Sequence, residues 1–163
     1  MKINIYIDGA YSSKTNYGGW AVVALPVIDT SDDPGYEHHC IYSGYEKNTT
    51  NNRMELTALK KALEYILTYP MPTTIYCDSA YIVNCFKQKW YITWYKNGWR
   101  TSKKTPVLNA DLWIDILRLY EKTSHYTTIE KIDGHSGHMG NEMADRYAVM
   151  AREEGAESEK NDK

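Results

Sequence analysis

No stretch of this sequence approaches the roughly 18 consecutive apolar residues that a membrane-spanning helix needs. The N-terminal Met1-Lys2-Ile3-Asn4-Ile5 lacks a long apolar signal segment and reads as the start of a strand. Together with that clean start at Met1, these absences predict a stand-alone, cytoplasmic protein with no membrane partner. Cysteine is scarce as well. The three, at 40, 77 and 85, are odd in number and form no Cys-x-x-Cys pair, which argues against a disulfide framework and a zinc site. Free buried thiols in a reducing compartment are the expectation. There is one Phe against 15 Tyr. A formal net charge of −2 gives no global basicity to advertise a nucleic-acid partner. Acids are missing in one place, however. Ser79 to Ala110 contains no Asp or Glu, while Lys87, Lys89, Lys96, Arg100, Lys103 and Lys104 all lie there. A basic surface inside a slightly acidic protein is a specific hint of anion recognition.

The 163 residues, 42% of them hydrophobic, suit one domain with a real core and are short for two. Ile3, Ile5 and Ile7 alternate with Asn4, Tyr6 and Asp8, the period of two that predicts a strand. Asp8 is read as its end, because Gly9 opens a turn-rich stretch. A second strand is predicted around Trp20-Ala21-Val22-Val23-Ala24-Leu25 and a third between His39 and Tyr45, with a loop at Asp29–Tyr36 between them. Leu56, Leu59, Leu63 and Ile66 recur at helical spacing, so a helix is expected from near Thr50 to before Pro70. Thr73 to Cys77 reads as a fourth strand, and another helix follows from about Ser79. Short helices and loop are expected around Trp90 to Thr105, a helix through Leu112, Ile116, Leu117 and Tyr120, a fifth strand near Tyr126 to Ile132, and a last helix from Glu142 to Arg152. Residues 153–163 are polar and low in hydrophobicity, so a disordered tail is expected after a domain of residues 1–152. The order predicts an α/β layer fold: a five-stranded mixed sheet with helices on both faces.

Several acids sit where stability alone would not put them. Asp8 and Asp78 each end a predicted strand. If those strands are parallel neighbours, both carboxylates lie at the same sheet edge, where open α/β sheets bind ligands. Glu55 shares an otherwise apolar helix face with Ala62 and Ile66, which is costly unless compensated. Asp145, early in the last helix, is a fourth candidate. Any one of these alone is ordinarily a turn or cap residue or a helix-dipole partner. Four converging acids repel, and a bound divalent cation is the natural compensation; hard oxygen ligands favour Mg²⁺ or Mn²⁺. Two ions roughly 3.5–4 Å apart could clamp an in-line phosphoryl displacement. Gly134-His135-Ser136-Gly137-His138 forms a loop before the last helix, where a mobile histidine beside such a site could move protons.

The runs Tyr6-Ile7-Asp8-Gly9, Thr50-Asn51-Asn52-Arg53-Met54-Glu55-Leu56, Cys77-Asp78-Ser79 and Gly134-His135-Ser136-Gly137-His138, with Asn141-Glu142-Met143-Ala144-Asp145, resemble the motifs of type 1 ribonuclease H, in that family's order and nearly its spacing. The likeness runs from about Ile3 to Arg152, and Thr-Asn-Asn-Arg-Met-Glu is its most specific part. The resemblance implies an RNase H-like fold and an endonuclease that cleaves the RNA strand of RNA–DNA hybrids with two Mg²⁺ ions, leaving 5′-phosphate and 3′-hydroxyl ends. It implies that Asp8, Glu55, Asp78 and Asp145 bind the metals and that His135 aids proton transfer or product departure. One ion would activate the attacking water and the other would stabilise the leaving 3′-oxygen.

For substrate binding, the resemblance implies that Tyr81, Trp90 and Trp94 line the DNA-strand channel and that Thr50 and Asn109 contact a DNA-strand phosphate. Asn51 and Asn52 would lie near the RNA strand and its 2′-hydroxyls, which distinguish RNA from DNA. Lys96, Arg100, Lys103 and Lys104 would belong to the basic protrusion of the longer family members, where cations meet phosphates. Trp90, Trp94 and Trp99 could equally pack a small helical subdomain. The sequence departs from the family in the turn Ser12-Ser13-Lys14-Thr15-Asn16-Tyr17, in Ala80 where many members carry a longer polar side chain, and in the residue before Thr50 that would supply a cation, for which Lys47 is a candidate. A monomer is expected. The rival readings are a catalytically silent hybrid-binding module, which loss of a metal carboxylate would mark, and a resolvase- or transposase-like nuclease, which would lack the Asn-Asn-Arg-Met-Glu run.

Overall fold

The computed structural model describes residues 2–27, 40–134 and 137–161. Five strands form one mixed sheet: β1 (Lys2–Ser12), β2 (Tyr17–Val27), β3 (Cys40–Lys47), β4 (Thr73–Cys77) and β5 (Thr127–Lys131). Their order is β3-β2-β1-β4-β5. The β1–β2 and β2–β3 pairs are antiparallel, whereas β4 runs parallel to β1 and to β5. The helices are α1 (Asn51–Thr68), α2 (Ala80–Lys87), α3 (Trp90–Lys96), α4 (Ala110–Thr123) and α5 (Met139–Asn161). No helix among the described residues is long and apolar enough to cross a membrane.

Alternation along β1 divides the layers. Ile3, Ile5 and Ile7 join Val22, Leu56, Leu59, Ile75, Trp113 and Ile116 in the main core, on the side of α1 and α4. Ala10 and Ala21 point the other way and pack with Ala148 of α5. Helices therefore cover both faces, as the sequence pattern predicts. α1 starts cleanly because the Thr50 hydroxyl accepts the Arg53 N–H at 3.1 Å, an N-cap that satisfies one of the orphan donors of the first turn.

Two expectations are corrected. β1 does not end at Asp8. It continues to Ser12, with Asp8 opposite Ala21 and Gly9 opposite Trp20 in the β2 register, so the antiparallel partner holds the chain extended through the glycine. The residues after Arg152 are not a disordered tail: α5 runs on to Asn161. Gly155 lies against the rings of Tyr17 and Tyr45, and Glu159 pairs with Lys47. Burial against β2 and β3 orders a segment whose composition alone reads as unstructured. The Asp29–Tyr36 loop lies outside the described residues.

Candidate active site

The parallel pair β1–β4 positions the first two acids. Tyr6 stands opposite Tyr76, and β4 ends at Cys77 while β1 continues. Asp78 thus follows the last strand residue at the level of Asp8, and the sheet opens at that point. Glu55 arrives from the first turns of α1, buried among Met54, Leu56, Ala58 and Leu59. Oxygens of Asp8, Glu55 and Asp78 all lie within 4.8 Å of one another. Asp8 and Glu55 are buried, at 6% and 7% exposure. Asp145 of α5 is half-buried and outside that close group of three, yet its charge reaches Asp8.

The electrostatics follow from this crowding. Burial pushes the Asp8 carboxyl up to about 8, helped by the charges of Asp78, Glu55 and Asp145 and opposed by the Gly9 N–H, which donates to Oδ1 at 2.8 Å. Burial and the Asp78 charge push Glu55 up to about 7, against hydrogen bonds from Ser79 and Asn51. Among the described residues, the charges that act on Asp8 are those of Asp78, Glu55 and Asp145, all negative. Buried carboxylates crowded by further acids are the donor set that a hard divalent cation compensates, since it supplies positive charge and accepts carboxylate oxygens. The buried Cys77 thiol nearby is pushed up by burial and by the same acids and stays a neutral packing group.

His135 lies outside the described residues. His138 is exposed and lines a cleft with Tyr6, Tyr76 and Lys131. Asn51 and Asn52 are exposed on the first turn of α1, next to the acids. Ala80 is exposed at the start of α2.

Tyr81, Trp90, Trp94 and Trp99 form one packed group with Trp113. Tyr81 lies 5.9 Å from Trp90, and Trp90 lies 6.4 Å from Trp94, centroid to centroid. Trp94 packs on Trp99 at 5.7 Å and on the fully buried Trp113 of α4 at 5.5 Å. The Trp113 indole donates to the Tyr81 hydroxyl at 3.0 Å. Packing a subdomain and lining a channel are thus not alternatives here, because Tyr81, Trp90, Trp94 and Trp99 are only half-buried. Lys96, Arg100, Lys103 and Lys104 are exposed around a turn closed by Arg100 donating to the Lys104 carbonyl at 2.9 Å.

Thr50 and Asn109, 59 positions apart in sequence, are joined through Arg53. The Arg53 backbone N–H donates to Thr50, and its Nη1 donates to Asn109 Oδ1 at 3.2 Å. Lys47 is turned to Glu159. Asn16 accepts from the Tyr11 hydroxyl at 2.7 Å and donates to Asn48.

Sequence reasoning misses Arg53, Asp111 and Ser79 as site residues. Ser79 caps α2 by accepting the Ile82 N–H at 3.3 Å, and its side chain favours the ionised Glu55 carboxyl. Its place directly after Asp78, before an apolar helix, is an N-cap signature that could flag it. Arg53 lies within the Thr-Asn-Asn-Arg-Met-Glu run, beside the helix cap, but neither signal gives it a role; its side-chain partners lie at the start of α4.

Known proteins bear on this geometry. The RNase H family model matches residues 1–153. A protein named Ribonuclease H from Chlorobaculum parvum is 42% identical over 152 residues, covering 93% of this chain and 96% of its own. Another of that name, from Lachnoclostridium phytofermentans, is 42% identical over 155 residues, covering 95% and 94%. A crystal structure of a type 1 RNase H with the type 2 active-site motif superposes with a TM-score of 0.74 at 24% identity, over 93% of this chain and 72% of that one.

Proposed function

Because the chain belongs to the ribonuclease H family, we propose that it cleaves the RNA strand of RNA–DNA hybrids endonucleolytically, with Asp8, Glu55, Asp78 and Asp145 holding the Mg²⁺ ions that the reaction requires. The observation that carries this reading is the triplet of Asp8, Glu55 and Asp78, with oxygens within 4.8 Å of one another and the negative charges of Asp78, Glu55 and Asp145 acting on Asp8. Two Mg²⁺ ions bound there, or Mn²⁺ in their place, would supply Lewis-acid activation of the phosphodiester and of water and would neutralise the charge on the leaving oxygen.

The chain's own groups prepare and aim that chemistry. Ser79 and Asn51 favour the ionised form of the Glu55 carboxyl, and the Gly9 N–H fixes one Asp8 oxygen. Asn51 and Asn52, on the exposed first turn beside Glu55, suit the minor-groove face of an RNA strand, where 2′-hydroxyls identify it. Tyr81, Trp90 and Trp94 offer an aromatic wall to the DNA sugars, and Lys96, Arg100, Lys103 and Lys104 attract its phosphates. His135 is assigned the proton that must move as the leaving 3′-oxygen departs. Products carry 5′-phosphate and 3′-hydroxyl ends. A monomer acting in the cytoplasm completes the proposal.

Digestion of matched RNA–DNA, RNA–RNA and DNA–DNA duplexes, with Mg²⁺ and with a chelator, tests the assignment. The expected result is internal cleavage of the RNA strand in the RNA–DNA duplex alone, and only with Mg²⁺. Comparable cutting of DNA–DNA, or cutting that survives chelation, would contradict it.

A further inference from the structure

Asn109 is an N-cap that does not cap. It precedes α4 with a left-handed backbone (φ 60°) and makes no side-chain bond to the helix it begins, although an asparagine there ordinarily accepts the N–H of the second or third helical residue. Its Oδ1 instead faces Arg53, at 3.2 Å from Nη1. A guanidinium has only donors, so the amide atom turned to it must be the oxygen, and the Asn109 NH₂ must face away. The Arg53 fork is itself fixed by Asp111, with Nη2 2.8 Å from Oδ2 and Nη1 3.1 Å from Oδ1, the two-pronged geometry that holds a guanidinium plane in place. Thr50 is treated alike from the main chain: its hydroxyl oxygen accepts the Arg53 N–H, which leaves its proton free to donate.

We propose that Arg53 is the positioning residue of the DNA-strand phosphate site: it occupies the acceptor atoms of Thr50 and Asn109, so that both present donors to the anion. This rests on the reading of Thr50 and Asn109 as phosphate contacts. The Arg53–Asp111 pair is neutral overall, so the site recognises phosphate by fixed dipoles. It differs in that respect from the lysines of the α3–α4 segment, which act through net charge and counterion release. The same logic makes Asn109→Asp worse than Asn109→Ala, because a carboxylate offers only acceptors.

The test is hybrid affinity measured by fluorescence anisotropy across a salt series, for Asn109→Ala, for the charge-conserving double variant Arg53→Ala/Asp111→Ala, and for the triple variant. All the altered side chains lie at or near the surface, and thermal unfolding verifies that each variant is folded. Asn109→Ala and the double variant should each weaken binding by about tenfold, the scale of one hydrogen bond to a charged group. The triple variant should lose no more than the double. The slope of log K against log salt should stay at the parent value. Losses that multiply in the triple variant, or a slope reduced by about one in the double variant, would overturn the proposal and make Arg53 a direct phosphate ligand. An Asn109→Ala chain that binds as the parent does would remove the phosphate site itself, and the proposal with it.

Discussion

Gly9 and Glu55 meet backbone to backbone across the β1–α1 contact. A Cβ on Gly9 would stand 2.6 Å from the Glu55 nitrogen and 2.8 Å from the Met54 carbonyl carbon, both main-chain atoms that cannot swing aside. The missing side chain lets α1 lie close enough to β1 for Glu55 to reach Asp8. Gly9→Ala is therefore expected to push the helix outward and separate the acids. A misplacement on the order of 1 Å costs about 10²-fold in rate, and steady-state kinetics should show that loss in kcat while hybrid affinity changes little. Full activity in Gly9→Ala would mean that α1 can shift without disturbing the acids.

Stability of the metal-free protein should fall as pH rises. Asp8 and Glu55 bind their protons more tightly when folded, up to about 8 from 3.8 and up to about 7 from 4.5. Between those limits the folded chain carries more protons than the unfolded one, so each pH increment favours unfolding until both acids are ionised. In a chelator, the thermal midpoint is expected to drop between about pH 5 and about pH 9. Added Mg²⁺ should restore it at the alkaline end, and Asp8→Asn should flatten the metal-free profile. A metal-free midpoint that rises over this range would contradict the burial argument.

Ending the chain at Arg152 should cost stability and leave chemistry intact. The last turns of α5 set Gly155 where a Cβ would come within 2.7 Å of both Tyr17 and Tyr45, and they bring Glu159 to Lys47. Removing them is expected to lower unfolding free energy by about 1–3 kcal/mol, the ordinary range for deleting packed groups, as read from denaturant titration, with unchanged kcat at 25 °C. An unaltered denaturation midpoint would mean that these turns contribute nothing to the fold.

Which features are legible in the sequence follows from where their causes lie. β4 reads correctly as Thr73–Cys77 because its β-branched run is bounded by prolines and a helix cap. Asp8 and Asp78 stand out because each closes a strand-like run, and Glu55 because it interrupts an apolar helix face. The extension of β1 past Gly9 is hidden, since it depends on pairing with β2 and not on local propensity. The end of α5 is hidden for the same reason: its polar residues give no sign that Tyr17 and Tyr45 from two other strands cover them. Arg53 is invisible as a site residue because its meaning lies in Asn109 and Asp111, more than fifty positions away.

The protrusion should govern affinity and leave the chemical step alone. Replacing Lys96, Arg100, Lys103 and Lys104 with Ala is expected to raise KM with kcat near the parent value, and to flatten the salt slope by about 0.9 for each phosphate that is no longer neutralised. Trp94→Ala should behave differently. Its ring packs on Trp90, Trp99 and Trp113, so thermal stability should fall along with affinity. A collapse of kcat at constant KM in the quadruple variant would end this division of labour.

The carboxylate cluster is expected to perform metal-dependent cleavage and not merely to bind hybrid. Single-turnover cleavage of an RNA–DNA hybrid in Mg²⁺ by Asp8→Asn and by Asp78→Asn, with hybrid affinity measured alongside, tests it most directly. Each variant should lose about 10³-fold or more in rate, as removal of several kcal/mol of transition-state charge stabilisation requires, while still binding hybrid measurably. Near-parent Mg²⁺-dependent cleavage by either variant would contradict the assignment.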